Sequence, residues 1–246
     1  MADADWNNAA AVANSAEIVA GWEARSARLR AQHKTSMDRR YGPAERSRID
    51  LFPGREDAPL LAFIHGGYWQ ARSKEVFSFI AEGPLAWGMN VALIGYTLAP
   101  QKRLDGIVAE IRAALDWLDE KYGNKLLVSG WSAGGHLTAM AMNHPAVEAG
   151  LAISGIYDLE PIRHCYVNDK LGLDEAEARR NSPGPIAKPL VLAYGADELP
   201  NLRDQSENYA RRLGREAMAL PRHNHFTILE ELASPQGALT GVVRTL

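Results

Sequence analysis

The feature that most constrains this chain is an alternation of short, continuously apolar runs with amphipathic segments. The runs Leu60–Ile64, Asn90–Ile94, Leu126–Ser129, Leu151–Ser154 and Leu190–Ala193 lack the polar-apolar alternation of a half-exposed strand. Continuous runs of this length are what a parallel sheet covered on both faces requires. Between them the spacing predicts helices over 74–87, over Leu104–Lys121, over a small-residue stretch ending before Pro145, and over Arg203–Leu213, stopped by Gly214. The clearest is Leu104–Lys121, where Leu104, Ile107, Val108, Ile111, Leu115 and Leu118 share one face and Gly123 is a natural stop. Further strands fit Arg48–Phe52 and Ala217–Leu220, and an amphipathic helix with Ile18, Val19, Trp22 and Leu29 fits 15–31. The expectation is an α/β fold, a mostly parallel central sheet with helices on both faces. In such sheets functional groups gather at the carboxyl ends of the strands.

The length of 246 residues suits one α/β domain spanning 1–246. Residues 157–186, polar and carrying Asp174, Glu175, Glu177, Arg179 and Arg180, interrupt the alternation and read as a short excursion over the site. The formal charge is −3, from 27 basic and 30 acidic residues with no basic run, which argues against nucleic acid and anionic membrane as partners. The single cysteine, Cys165, permits no intrachain disulfide and reads as structural. Asp3 and Asp5 stand where a signal peptide needs basic residues, and no apolar stretch reaches membrane-spanning length, so a cytoplasmic protein is expected. The helix at 15–31 is available either to cover part of the site or to mediate self-association, a homodimer being the simplest case.

Chemistry enters at Gly130-Trp131-Ser132-Ala133-Gly134. A sharp strand-to-helix turn can thrust the serine out above the sheet if small residues two before and two after it avoid a clash. At average Gly and Ser usage, roughly one chain in ten of this length carries such a pattern by chance. Context gives it weight, because a buried strand at Leu126–Ser129 precedes it and a helix opens at Gly135-His136-Leu137. Upstream, His65-Gly66-Gly67-Tyr68-Trp69 follows another buried strand. Acyl transfer drives negative charge onto a carbonyl oxygen, and backbone N–H groups must be aimed at it. The expected donors are Gly67, Tyr68 and Ala133, with Gly66 shaping the turn.

A serine nucleophile also needs a base and an acid, in chain order Ser…Asp/Glu…His. His136, on the helix leaving the serine turn, reads as a packing residue, His144 before Pro145 as a capping one, and His164 lies in the excursion. His223 and His225 both follow the last predicted strand, where the base belongs, and His225 is preferred. For the acid, the strand at 190–193 runs into Gly195-Ala196-Asp197-Glu198, with Asp197 preferred and Glu198 beside it. No His/Asp/Glu cluster has ligand-like spacing, so neither metal nor cofactor is expected. Tyr68, Trp69, Trp131 and Tyr157 are candidates for aromatic walls of a substrate site.

These motifs, with Ser154-Gly155-Ile156-Tyr157-Asp158-Leu159, resemble the arylformamidase (kynurenine formamidase) branch of the α/β-hydrolases, itself similar to the hormone-sensitive-lipase-like esterases. Tyr96-Thr97-Leu98-Ala99-Pro100, Tyr166-Val167-Asn168, Arg203-Asp204-Gln205-Ser206 and Asn224-His225-Phe226 extend the resemblance across about 15–240. The resemblance implies the α/β-hydrolase fold and metal-independent hydrolysis of an aryl formamide such as N-formylkynurenine by a Ser-His-Asp triad through an acyl-enzyme. It also supports His225, since the base of this family precedes an aromatic residue. A general short-chain carboxylesterase, a thioesterase and a catalytically silent binding protein on the same fold are the rival readings.

Overall fold

The apolar runs become adjacent strands of one sheet. A computed structural model describes residues 3–33, 36–123 and 125–246. Among these, the strands are β1 Arg39–Arg40, β2 Arg48–Phe52, β3 Leu60–Ile64, β4 Asn90–Ile94, β5 Leu126–Trp131, β6 Val147–Ile153, β7 Leu190–Gly195 and β8 Met218–Leu220. They hydrogen-bond in the order β1-β2-β4-β3-β5-β6-β7-β8. The pairs β1/β2 and β2/β4 are antiparallel and every other neighbouring pair is parallel.

The helices are α1 Asn8–Ala11, α2 Ser15–Gln32, α3 Glu82–Ala86, α4 Leu104–Tyr122, α5 Ala133–Ala141, α6 Asn168–Leu171, α7 Glu175–Asn181, α8 Pro200–Arg212, α9 Glu230–Ala233 and α10 Ala238–Thr245. They cover both faces, and β3 shows why its sequence is apolar throughout. Leu60, Ala62 and Ile64 point to one core with Ile107, Ile111, Leu115 and Leu118 of α4. Leu61 and Phe63 point to the other with Val19 and Trp22 of α2 and Leu239 and Val243 of α10. Burying each large apolar side chain contributes about 1.5–3 kcal/mol, so a polar residue on either face of β3 would be costly.

Two elements depart from the sequence reading for physical reasons. The helix expected over 74–87 is a 3₁₀ stretch at Lys74–Ala81 followed by α3. Pro84 has no N–H to donate to a carbonyl one turn back, which breaks a continuous α-helix there. The strand expected at Leu151–Ser154 starts earlier, because β6 pairs with β5 from Val147 opposite Leu126. It ends at Ile153 because Ser154 turns into the left-handed region at φ 51°. Helix α4 matches its prediction within one residue, and Gly123 closes it at φ 57°. Among the described residues no helix is long and apolar enough to cross a membrane.

Candidate active site

Strands β3, β5, β6 and β7 all deliver their carboxyl ends to one region. At the end of β5, Ser132 occupies a strained turn with φ 59° and ψ −119°, its N–H donating to Ile153 O at 2.8 Å. A non-glycine residue in such a conformation costs of order 1–3 kcal/mol, which the packing around it must supply. The flanking glycines make the turn feasible. A Cβ on Gly130 would lie 2.3 Å from Gly134 O, and one on Gly134 would lie 2.0 Å from Ile64 O. The pattern Gly-x-Ser-x-Gly is therefore a packing requirement here.

The loop after β3 passes through three successive left-handed residues, Gly67, Tyr68 and Trp69, at φ 114°, 50° and 59°. Gly67 O accepts from the N–H of Ala71 at 2.9 Å, and a Cβ on Gly67 would meet Ala71 O at 2.2 Å. Among the described residues, no protein acceptor takes the N–H groups of Gly67, Tyr68 or Ala133. Gly67, Tyr68, Trp131, Ser132 and His225 line one cavity of about 430 Å³. Gly67 and Tyr68, two of the anticipated oxyanion donors, thus line the same cavity as Ser132, and Ala133 follows it in the chain.

His225 is buried at 3% exposure, and its Nδ1 is 2.9 Å from Glu198 Oε2. Its backbone carbonyl accepts from Trp131 Nε1 at 2.7 Å, and the two rings lie 4.7 Å apart, so the residue before the serine braces the histidine. His223, the alternative base, bonds Thr227 O through Nδ1 at 3.1 Å and faces Glu231 through Nε2 at 3.1 Å, which occupies both ring nitrogens away from the serine.

The carboxylate that meets His225 is Glu198, where the sequence reading preferred Asp197. Gly195 to Glu198 is a tight turn in which the Glu198 N–H donates to Gly195 O at 3.1 Å. Its middle residues sit at the tip, so Asp197 is exposed, while Glu198 swings back over the end of β7. The Glu198 side chain has no exposed surface, and its Oε1 accepts from Ser154 Oγ and from the Gly195 N–H, each at 2.6 Å. Asp197 contributes through its backbone, donating to His223 O at 3.0 Å. Nothing in the sequence separates the two adjacent carboxylates, because the fold of the turn decides which of them points back to the strand.

The four proposed aromatic walls divide. Tyr68 and Trp131 line the cavity. Trp69 is fully buried and donates through Nε1 to His136 Nδ1 at 3.2 Å. Tyr157 is fully buried as well, its ring stacked on Tyr209 at 4.5 Å. Neither lines the cavity; both belong to the core. Further aromatic walls come from Tyr166 and Phe226, and Asn7, Asn8 and Ala9 of the N-terminal segment close another side. No motif marked that segment, whose place depends on contacts across some sixty residues of chain, such as Tyr68 Oη donating to Trp6 O at 2.6 Å.

The remaining histidines are structural. His136 accepts from Trp69 at Nδ1, so its proton is on Nε2, which donates to Asn181 O at 2.6 Å. Complete burial disfavours its charged form and pushes its pKa down to about 4, the Asn181 bond only partly opposing this. Burial likewise pushes His65, stacked 4.2 Å from Tyr96, down to about 4. His144 packs at the end of α5 against Asp116 at 2.9 Å, and His164 pairs with Glu160 on the surface at 3.1 Å. Cys165 is buried, which raises its thiol pKa and leaves it a poor nucleophile. Among the described residues no group of three or more His, Cys, Asp or Glu side chains is arranged to hold a metal ion.

Comparison with known proteins gives the family and the fold. Residues 51–166 match the family model described as BD-FAE. The kynurenine formamidase of Danio rerio is 32% identical over 240 residues, covering 87% of this chain and 82% of that protein. A Silicibacter sp. crystal structure, provisionally described as a thioesterase, superposes with a TM-score of 0.91 at 27% identity, covering 98% of this chain and 97% of that one. An esterase of Pyrobaculum calidifontis shares the fold at a TM-score of 0.66 and 19% identity, covering 95% and 94%. The fold is that of the α/β-hydrolases, and the comparisons identify a serine hydrolase.

Proposed function

This chain belongs to the kynurenine formamidase family, and from that premise we propose that it removes the formyl group from aryl formamides of the N-formylkynurenine kind. Ser132 is the nucleophile, His225 the base and Glu198 the acid of its triad. The observation that carries the assignment is the 2.9 Å contact between His225 Nδ1 and a fully buried Glu198, beside a cavity that Ser132 shares with unspent backbone donors. With the Nδ1 proton held by Glu198, Nε2 of His225 keeps its lone pair and can take the Ser132 hydroxyl proton. The alkoxide attacks the formyl carbon, and the carbonyl oxygen becomes an oxyanion accepted by the N–H groups of Gly67, Tyr68 and Ala133. One such donor is typically worth about 10²–10³ in rate. His225 then gives its proton to the departing aryl nitrogen, leaving a formyl ester on Ser132. Water attacks that ester with His225 again as base, releasing formate and restoring the serine.

The cavity supports a small, planar substrate. Its walls are Tyr68, Trp131, Tyr166 and Phe226, and its rim carries exposed Asp169 and Lys170, opposite charges that suit an amino-acid tail. Formate release from N-formylkynurenine tests the reading. The wild type should turn over, and Ser132→Ala should be slower by at least about 10⁴-fold with an unchanged fold. A near-native rate in Ser132→Ala removes the mechanism, and absence of wild-type turnover removes the substrate.

A thioesterase is the second reading, favoured by the close superposition on the Silicibacter protein. Comparing kcat/KM for the formamide with that for short acyl-CoA thioesters separates the two, the formamide being preferred on the first reading.

A further inference from the structure

Ser154 holds a backbone conformation that glycine would adopt at less cost. Its φ of 51° lies in the left-handed region, where a Cβ crowds the main chain. Its N–H donates to Ala193 O at 2.7 Å, so β7 fixes the chain at that point. The residue is fully buried and stands outside the cavity that Ser132 and His225 line. What the serine adds to a glycine is one hydroxyl hydrogen, donated to Glu198 Oε1 at 2.6 Å. Glu198 needs such a partner more than an aspartate would, because its side chain has one further torsion to fix. With Oε1 held by Ser154 Oγ and the Gly195 N–H, Oε2 is left to face His225 Nδ1 at 2.9 Å. Neither Ser154 nor the Glu198 side chain meets solvent, so bulk water does not stand in for the hydroxyl.

We propose that Ser154 is a positioning residue whose hydroxyl holds the Glu198 carboxylate against His225. The inference rests on Glu198 as the triad acid and extends the machinery to the end of β6. Ser154 touches neither substrate nor the reacting atoms; it acts through Glu198, which in turn fixes the tautomer and direction of the imidazole. The hydroxyl and the backbone make opposite demands at this position. Deleting the side chain relieves the strained φ but sets one carboxylate oxygen loose, so catalysis and stability are expected to move apart. A residue retained for packing alone would move them together.

The test compares Ser154→Gly, Ser154→Ala and Ser154→Thr with the wild type by thermal melts and by steady-state hydrolysis of p-nitrophenyl acetate, an ester whose turnover does not depend on the formamide assignment. Glycine removes the strain and alanine keeps it, while both lack the hydroxyl. Ser154→Gly should therefore melt about 2–4 °C above Ser154→Ala. In both, kcat should fall about 10–100-fold with KM within about two-fold, the worth of one hydrogen bond to a charged group. Threonine keeps the hydroxyl but is the most strained of the three at this φ, so it should melt lowest and keep kcat within about three-fold of the wild type. A near-native kcat in Ser154→Gly, rates that rank with the melting temperatures, or a loss confined to KM would each overturn the proposal. If Ser154→Thr does not fold, the glycine and alanine variants decide it. Glu198→Gln, measured alongside, separates the two assignments. If it collapses while the Ser154 variants keep their rates, only the role of Ser154 falls; if it keeps its own rate, Glu198 is not the acid and both fall.

Discussion

Replacing Glu198 by Gln puts the acid assignment at risk in a single substitution. Glu198 accepts three hydrogen bonds, from Ser154 Oγ, the Gly195 N–H and His225 Nδ1. Glutamine is nearly isosteric but offers one acceptor oxygen and one donor nitrogen. If the oxygen stays with Ser154 and Gly195, the NH₂ faces His225 Nδ1, which must then give up its proton and carry it on Nε2. In that tautomer His225 cannot accept the Ser132 proton. The corresponding change in the worked serine-protease template lowers kcat by about 10⁴, which is about 5.4 kcal/mol of barrier at 1.36 kcal/mol per decade. The opposite rotamer keeps the histidine tautomer but aims an NH₂ at the Gly195 N–H, leaving that donor unpaired at about 1–3 kcal/mol, so it is the minor state. Asp197→Asn is the control, since Asp197 is exposed and tied in through its backbone. Its rate should change by less than about two-fold, because exposed substitutions seldom exceed about 0.5 kcal/mol. The assay is steady-state hydrolysis of a formamide and of a short aryl ester, normalised to active sites labelled by a fluorophosphonate. If Glu198→Gln keeps a tenth or more of the rate, or if Asp197→Asn is the variant that collapses, the reasoning is wrong.

Other outcomes follow from the same structure. Gly134→Ala should leave no soluble, labelled enzyme, since its Cβ would sit 2.0 Å from Ile64 O and the serine turn cannot yield that distance; a fully labelled, stable variant would contradict this. Trp69→Phe should lower stability by about 1–3 kcal/mol in denaturant titrations, leaving His136 Nδ1 unpaired, with KM unchanged because Trp69 lies in the core; a raised KM would place it at the substrate. Acid should weaken the fold through His65 and His136. Each ring, ordinarily titrating near 6.5, is held at about 4 in the folded state, so between those values the unfolded chain binds more protons. Stability is then complete above pH 6.5 and falls with pH down to about 4, by about 3 kcal/mol for each ring. His136→Gln, which keeps a donor for Asn181 and an acceptor for Trp69 but cannot titrate, should lose part of that fall in thermal melts; an unchanged pH profile would refute the account.

Reading the chain as a string already established the layer order of the fold and the candidate residues of its site. Burial on both faces demands unbroken apolar residues, and the strands β2, β3 and β4 stand at the residues their composition predicted. The serine turn was legible because two glycines mark a backbone that no side chain can enter, a constraint local to five residues. Chain order narrowed the candidate base to His223 or His225, and the family resemblance, through the aromatic residue that follows it, favoured His225. What only tertiary structure decided lies where the backbone leaves a regular period or where partners are distant in sequence. In the left-handed run 67–69 no period says which side chain goes inward, and packing against His136 sends Trp69 into the core while Tyr68 lines the cavity. Asp197 and Glu198 are adjacent carboxylates, and only the fold of their turn, with Ser154 waiting 44 residues away, chooses between them. Asn8 bears no motif at all. Its place beside the cavity depends on Tyr68, 60 residues downstream, and proximity of that kind is created by folding and leaves no periodic trace in the chain.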